Sequence, residues 1–217
     1  ARRALIAVTR DSERGLAHLV GSFPLETAEA VFRKVLGALG SRLTRVPDGE
    51  TGERRRWIYW QRTMLENHPA MEVDRDAGLL ELTQWDGSLL RRAELLRLKA
   101  GVDPDAVDFP TGYAEAAAGS WVLFERLRRL GVVPPGIRFQ VCLPTPMSSA
   151  FMYVSPRAHD AYLRAYERAL LRALFPVQHV GARNFVVAAT HQAQFHVVLH
   201  VFDMEGAATR TGTHQGA

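Results

Sequence analysis

The stretch Leu-Thr-Arg-Val-Pro-Asp-Gly-Glu-Thr-Gly-Glu-Arg, at residues 43–54, decides the predicted fold. It begins as a short apolar strand and passes through Asp48, Gly49 and Glu50 into a helical pattern. An earlier stretch at residues 18–24, His-Leu-Val-Gly-Ser-Phe-Pro, has the same form. Such strand-to-helix junctions place polar groups at the carboxyl ends of parallel strands, where α/β folds build their sites. The two junctions therefore predict an α/β protein.

Apolar spacing extends the alternation of strands and helices along the chain. The spacing predicts parallel strands near residues 16–20, 43–46, 137–143 and 184–189, and a further strand at 196–202. It predicts helices near residues 26–39, 52–66, 113–130 and 157–174. Residues 67–111 are less regular and are interpreted as an insertion between βα units. Within it, residues 79–82 favour a strand and residues 89–99 have helical spacing.

The length and composition set the limits of this interpretation. At 217 residues the chain is expected to form one domain, but it is short for an eight-unit barrel, which needs about 250 residues. The net charge of +4 is mild, and no nucleic-acid reader motif accompanies it, so we expect no nucleic-acid partner. No apolar run is long enough to span a membrane. The single cysteine, Cys142, favours a reduced, cytoplasmic setting.

The two junctions supply the candidate site residues. Gly21 and Ser22 follow the first strand, where a glycine lets a ligand approach the backbone and a hydroxyl can bind an anion, although an ordinary tight turn explains them as well. Asp48 and Glu50 flank a glycine after the second strand. They can hold an amino group or carry a proton, and they can equally cap the helix that begins near Gly52.

Other titratable residues favour structural roles. His18 lies inside the first strand and is interpreted as a structural histidine, and Cys142 as a buried inert thiol. His196 and His200 are four positions apart in a strand, which separates them by about 13 Å, too far for one metal ion. From Pro176 onward the chain holds five of its eight histidines and only two acidic side chains.

Residues 16–175 resemble proteins related to the catalytic barrel of cobalamin-independent methionine synthase, whose superfamily includes uroporphyrinogen decarboxylase. The resemblance is carried by the His-Leu-Val-Gly-Ser-Phe-Pro stretch, by Val-Pro-Asp-Gly-Glu-Thr-Gly-Glu-Arg at residues 46–54, and by Arg-Phe-Gln-Val-Cys-Leu-Pro-Thr-Pro at residues 138–146. It is closest to the stand-alone members of that group. It implies a (β/α)8 TIM-type barrel, expected here as one incomplete domain over 1–217, with an extension at 1–15, the insertion at 67–111 and a frayed tail at 206–217.

The resemblance also implies the site. Val20, Gly21 and Ser22 correspond to the segment that holds the backbone groups of homocysteine, and Glu50 corresponds to a glutamate that contacts it. Asp48 joins them as a predicted substrate-binding residue. In the synthase a zinc ion activates the thiol, but the ligands it uses, a His-x-Cys pair, a Glu and a distant Cys, have no counterpart here. No zinc, other cofactor or catalytic residue is therefore assigned.

Three functions stay open at this point. The first is a methyltransferase-like barrel that acts on a thiol or a small carboxylic acid and is inactive as this chain alone. The second is a non-catalytic truncated barrel that binds small anions or assembles through unpaired strand edges. The third is a decarboxylase-like enzyme of the same superfamily. A truncated or frame-shifted gene end would explain the altered composition after residue 175.

The sequence predicts that the protein holds no stoichiometric zinc and does not methylate homocysteine, because a thiolate-activating site needs several Cys, His and Glu ligands at about 2.0–2.3 Å from the ion. Metal content is to be measured after dialysis against a mild chelator. One zinc per chain that survives dialysis and disappears in Cys142→Ala or His196→Ala would overturn this prediction, as would homocysteine methylation by the pure protein.

Overall fold

The computed structural model describes residues 6–7, 15–20, 22–56, 58–178, 185–193 and 196–203, with side chains over 15–20, 22–56 and 58–172. The helices are α1 (Ala28–Leu39), α2 (Tyr59–Asn67), α3 (Tyr113–Arg129), α4 (Pro146–Tyr153) and α5 (His159–Gln178). The strands are β1 (Ile6–Ala7), β2 (His18–Leu19), β3 (Arg45–Pro47), β4 (Met71–Val73), β5 (Leu79–Thr83), β6 (Leu89–Glu94), β7 (Leu96–Leu98), β8 (Arg138–Pro144), β9 (Phe185–Ala193) and β10 (His196–Asp203). None of the described helices is long and apolar enough to cross a membrane.

The chain separates into two compact units. Unit 1 consists of Ala1–Trp57, Gly112–Leu143 and Ala173–Ala217, and unit 2 of Ile58–Thr111 and Pro144–Arg172. The insertion predicted at residues 67–111 therefore belongs to a larger unit that also includes residues 58–66 and 144–172. The sequence predicts one domain over 1–217, and whether the two units form a single incomplete barrel stays a prediction.

Unit 1 contains a four-stranded sheet in the order β10-β9-β8-β3. The β3 and β8 strands run parallel, with Arg45 opposite Arg138 and Pro47 opposite Gln140. The α1 helix precedes β3 and begins at Thr27, whose hydroxyl accepts a hydrogen bond from the Ala30 N–H at 3.2 Å. The α3 helix precedes β8 in the same way, so each parallel strand follows a helix, as the sequence predicts.

An aromatic cluster holds these helices on β8. Phe32 of α1, Phe124 of α3 and Phe139 of β8 have ring centroids 5.5–6.1 Å apart, and Trp121 stacks on Phe124 at 5.7 Å. All four side chains are almost completely buried. Aromatic pairs at these separations stabilise a core beyond the area that they bury. The cluster therefore fixes α1 and α3 against the strand that carries the later part of the resemblance.

Unit 2 combines helices with two antiparallel strand pairs. The β4 strand pairs with β7, and β5 pairs with β6 in a hairpin closed by residues 84–88. The aromatic rings of Phe109, Tyr162 and Tyr166 pack together at 5.2–6.0 Å. Buried Gln61 crosses this core, accepting a hydrogen bond from the Tyr166 hydroxyl at 2.8 Å and donating one to the Thr111 carbonyl at 2.9 Å.

Two of the strands predicted as parallel have an antiparallel neighbour. The strand predicted near 16–20 is β2, which pairs antiparallel with β1 among the described residues. The strand predicted at 184–189 is β9, which lies between β8 and β10 in the sheet and pairs antiparallel with β10 over eight positions. Residues 194–195 between them are too few for the helical crossover that parallel strands need. The pairing of β2 with β3, which would test the parallel arrangement directly, is not among the described pairs.

Three local predictions are corrected as well. Residues 89–99 form β6 and β7 rather than a helix, because the turn at residues 84–88 returns the chain beside β5, where pairing outweighs helical spacing. The helix predicted at 52–66 is a 3₁₀ segment, Gly52–Arg56, followed by α2. Residues 146–153 form α4, a helix that the apolar spacing did not predict, with Pro146 in its first turn, where proline is tolerated.

An ion pair between a buried carboxylate and a half-exposed arginine ties two segments of unit 2 together. The Asp74 side chain follows β4 and is inaccessible to solvent, while Arg157 lies in the 3₁₀ turn before α5. The guanidinium of Arg157 donates to both carboxylate oxygens of Asp74, with Nε 2.8 Å from Oδ2. This bidentate contact holds the pKa of Asp74 well below its ordinary value.

Replacing Asp74 by Asn should lower the urea midpoint of unfolding at pH 7. A depressed carboxyl pKa means that ionised Asp74 stabilises the folded chain above its unfolded pKa of about 3.9, and that this stabilisation is lost progressively as the pH falls below it. The difference between wild type and Asp74→Asn should therefore shrink below about pH 4. Asp76→Asn, whose side chain is 73% exposed, is the matched control and should change little. An equal loss in both variants would contradict this role.

Candidate functional site

The turn after β3 has an unusual backbone. Gly49, Glu50 and Gly52 all have positive φ, at 78°, 48° and 71°. Glycine adopts this region freely, but a glutamate does so at a cost of about 1–2 kcal/mol. A Cβ at Gly49 would lie 2.7 Å from Val31 Cγ2 of α1, so only glycine fits there. Because surrounding contacts must hold a strained residue in place, Glu50 is a candidate functional residue.

The two junctions predicted from the sequence meet at this turn. The Phe23 N–H donates to the Gly49 carbonyl at 2.9 Å, which brings the two loops together. The Ser22 hydroxyl donates to Glu50 Oε2 at 3.0 Å. Residues 28 positions apart in sequence thus share one hydrogen bond at the end of β3. The two junctions quoted from the sequence are therefore in direct contact.

Glu50 carries a strongly perturbed carboxyl. Desolvation, reinforced by the charge of Asp48, raises its pKa to about 7, although the hydrogen bond from Ser22 and the charge of Arg54 oppose the rise. The described residues supply no cation in contact with this side chain. A carboxyl that titrates near neutrality can hold or release a proton under ordinary conditions.

Asp48 has a different environment, although it is only two residues away. Its side chain is buried, and Oδ2 accepts from Arg54 at 2.7 Å and from the Ser120 hydroxyl at 2.6 Å. Oδ1 accepts from the backbone N–H of Glu50 at 3.0 Å. Both oxygens therefore have protein partners, which favours a role in fixing the turn rather than in contacting a ligand.

The two carboxyl groups thus have different hydrogen-bond partners and different roles. Asp48 faces an arginine and two further donors, whereas Glu50 has one hydroxyl partner. Neighbouring carboxyls in contrasting environments are the arrangement by which proteins keep one group charged and let the other exchange a proton. The chemistry available at this turn is therefore proton exchange, or binding of a cation, at Glu50.

A small cavity of about 10 Å³ lies beside Asp48 and Arg54. That volume is near the minimum needed for a single water molecule. Its wall consists of Asp48, Arg54, Tyr113, Ala117, Phe139, Val141 and Cys142. Ser22 and Glu50 are not part of this wall. The sequence predicts that Ser22, Asp48 and Glu50 open onto one shared cavity, because each follows a strand and precedes a helix. Of these three residues, only Asp48 lines the space described here.

Deeper residues of unit 1 have structural environments. His18 is buried, and its Nδ1 accepts from Arg45 Nε at 3.2 Å. Burial and the charge of Arg45 lower the pKa of His18 to about 4, so the ring is neutral at pH 7. Buried Gln140 donates from Nε2 to the Leu19 carbonyl at 2.7 Å and to Cys142 Sγ at 3.3 Å. These contacts favour the structural interpretation of His18 and of the Cys142 thiol.

The remaining predicted residues are placed as follows. Val20 is half-buried at the end of β2, and Gly21 lies outside the described residues. Two site residues, Arg54 and Ser120, were not predicted. Arg54 stands in the quoted motif, and its charge six positions after Asp48 could have indicated the ion pair. Ser120 is 72 positions from its partner, and only its polarity within an alanine-rich helix sets it apart.

Within the described part of the chain, no three His, Cys, Asp or Glu side chains gather in a way that could hold a metal ion. His191, His196 and His200 lie on the β9–β10 hairpin, where the structure describes the backbone but not the side chains. His179 and His214 lie outside the described residues. The absence of a zinc site in this chain accordingly stays a prediction.

Comparisons with protein-family models, with curated proteins and with solved structures returned no match. The resemblance to the methionine synthase barrel group thus rests on the quoted motifs alone.

The turn geometry predicts different costs for two glycine substitutions. Gly52→Ala meets open space and should lose about 1–2 kcal/mol of stability from its positive φ alone. Gly49→Ala adds a clash with Val31, which should raise the loss to about 2–5 kcal/mol. Urea unfolding of the two variants measures the difference, and equal losses would show that the contact with α1 does not constrain the turn.

Proposed function

We propose that unit 1 binds the amino group of a small thiol-bearing amino acid at Glu50 and Ser22. In this proposal the chain is a methionine-synthase-like barrel protein of reduced, cytoplasmic setting, related to methyltransferases that act on homocysteine. The observation that carries the proposal is the 3.0 Å hydrogen bond between Ser22 Oγ and Glu50 Oε2, because it joins the two motifs on which the resemblance depends.

The distribution of charge supports an ammonium ligand. Arg54, a cation close enough to act on the Glu50 carboxyl, makes its contacts with Asp48 instead. Glu50 is left with one hydroxyl donor and a pKa near 7, so an incoming ammonium group would supply the missing charge and release the carboxyl proton. Hydrogen bonds to charged groups of this kind contribute about 1.5–3 kcal/mol each.

The residues at this site do not fit the zinc that the family uses. Asp48 is already held by Arg54 and Ser120, and the Cys142 sulfur accepts a hydrogen bond from Gln140 rather than facing a set of metal ligands. The proposal therefore covers recognition of the amino acid by Glu50 and Ser22, and no methyl-transfer step is assigned to these residues. Such a step would need a thiol activator from outside the described residues.

The small volume of the cavity beside Asp48 and Arg54 supports a second candidate function, that of a non-catalytic chain. A space of about 10 Å³ is far below the roughly 300–1,000 Å³ of ordinary ligand sites. In this alternative the turn after β3 is only structural, and the chain assembles with another copy through the open edge of its sheet. Size-exclusion chromatography coupled to light scattering would then give the mass of an oligomer. The Glu50→Gln substitution would leave homocysteine binding unchanged.

Calorimetric titration with L-homocysteine tests the first proposal. The wild-type chain should bind homocysteine and should bind 4-mercaptobutanoate, which lacks the amino group, at least about tenfold more weakly. Glu50→Gln and Ser22→Ala should each weaken homocysteine binding by about 10- to 100-fold. Binding should strengthen as the pH rises through about 7, because Glu50 must lose its proton to hold an ammonium group.

Glu53→Gln is the matched control, because Glu53 is an exposed glutamate in the same segment and should leave binding unchanged. Equal affinity for the ligands with and without an amino group would show that Glu50 does not recognise an amine. No binding of homocysteine by the folded wild-type chain would end the proposal in favour of the non-catalytic alternative.

A further inference from the structure

Ser120 occupies an unexpected position for a serine. It lies in the interior of α3, in the run Ala-Ala-Ala-Gly-Ser-Trp at residues 116–121, and it is buried. Serines inside helices usually bond to the preceding turn of their own helix or face solvent. The Ser120 hydroxyl instead donates to Asp48 Oδ2 at 2.6 Å. This short contact to a charged oxygen is of the strong, charge-assisted kind.

The contact reaches Glu50 through Asp48. With Oδ2 fixed by Ser120 and Arg54, the other oxygen of Asp48 is directed to the backbone N–H of Glu50. That hydrogen bond holds Glu50 at φ 48°, a conformation that glutamate does not favour. Arg54 alone gives less directional support, since its second contact, NH1 to Asp48 Oδ1, is 3.5 Å long.

We infer that Ser120 is a positioning residue for Glu50. It fixes the orientation of the Asp48 carboxylate, which in turn holds the Glu50 backbone so that the half-buried Glu50 side chain stays against Ser22. The inference deepens the proposed function, on which it depends only for its binding readout.

The groups that act on Glu50 can be named from each neighbouring segment. The loop after β2 contributes the Ser22 hydroxyl, and the turn after β3 contributes the charges of Asp48 and Arg54. Tyr113 of α3 and Cys142 of β8 line the cavity beside Asp48. If the turn relaxes, Glu50 gains access to water, and its titration should move toward that of an ordinary glutamate.

A titration without ligand tests the inference. The full chain, labelled with ¹³C at glutamate side chains, is titrated by NMR, with the Glu50 signal assigned by its absence in Glu50→Gln. The wild-type midpoint should lie near 7, and Ser120→Ala should lower it by about one unit or more. Ser120→Thr retains a hydroxyl and should keep the midpoint within a few tenths of wild type.

Ser149→Ala is the matched control. Ser149 is a buried helical serine of unit 2 that accepts from the Tyr162 hydroxyl at 2.8 Å, so its loss should lower stability without moving the Glu50 midpoint. Alanine favours helices, so Ser120→Ala should fold, and circular dichroism is to be recorded to check this. A folded Ser120→Ala protein with an unchanged midpoint would refute the positioning role.

Homocysteine binding separates this inference from the proposed function. If wild type binds, Ser120→Ala should weaken binding by about 10-fold while Ser149→Ala does not. If wild type does not bind, the proposed function fails, yet the shift of the Glu50 midpoint still decides whether Ser120 positions this carboxyl.

Discussion

The candidate site in unit 1 depends on the ionised carboxylate of Asp48. Burying a charge is unfavourable unless it is fully paired, and here an arginine, a serine hydroxyl and a backbone N–H satisfy both oxygens. The three donors come from α3 and from two places in the turn after β3. One carboxylate therefore links a helix to a loop, and the left-handed conformation of Glu50 follows from that link.

The same arrangement separates the properties of two neighbouring acids. Asp48 attracts the nearby cation, and its remaining charge disfavours ionisation of Glu50. Glu50 is thereby held desolvated against Ser22, with a pKa near neutrality. One turn thus combines a strained backbone, a buried charge and a carboxyl with a shifted pKa. Proteins tend to adopt such locally unfavourable conformations and environments where function requires them.

The sequence predicted local features better than pairing. Apolar spacing located α1 and α3, because each helix buries one face, and it located β3 and β8, because they are short runs with consecutive buried residues. The β5–β6 hairpin was misread in part, since the apolar residues at 89–99 suit a helix or a strand, and only the pairing with β5 decides between them. Ser22 and Glu50 were found from their junctions. Ser120 could not be, because its partner lies 72 positions away and is set by how α3 packs.

The parallel pairing of β3 with β8 has a consequence for the way the chain folds. Arg45 pairs with Arg138, 93 positions later, and much of unit 2 lies between them in sequence. Hairpins such as β5–β6 close within microseconds, whereas pairing across so long an intervening segment is slow. During synthesis β3 therefore stays unpaired, and Phe32 of α1 lacks its contact with Phe139, until β8 has left the ribosome. In that interval the nascent chain exposes apolar side chains and an unpaired strand edge, which a chaperone would recognise.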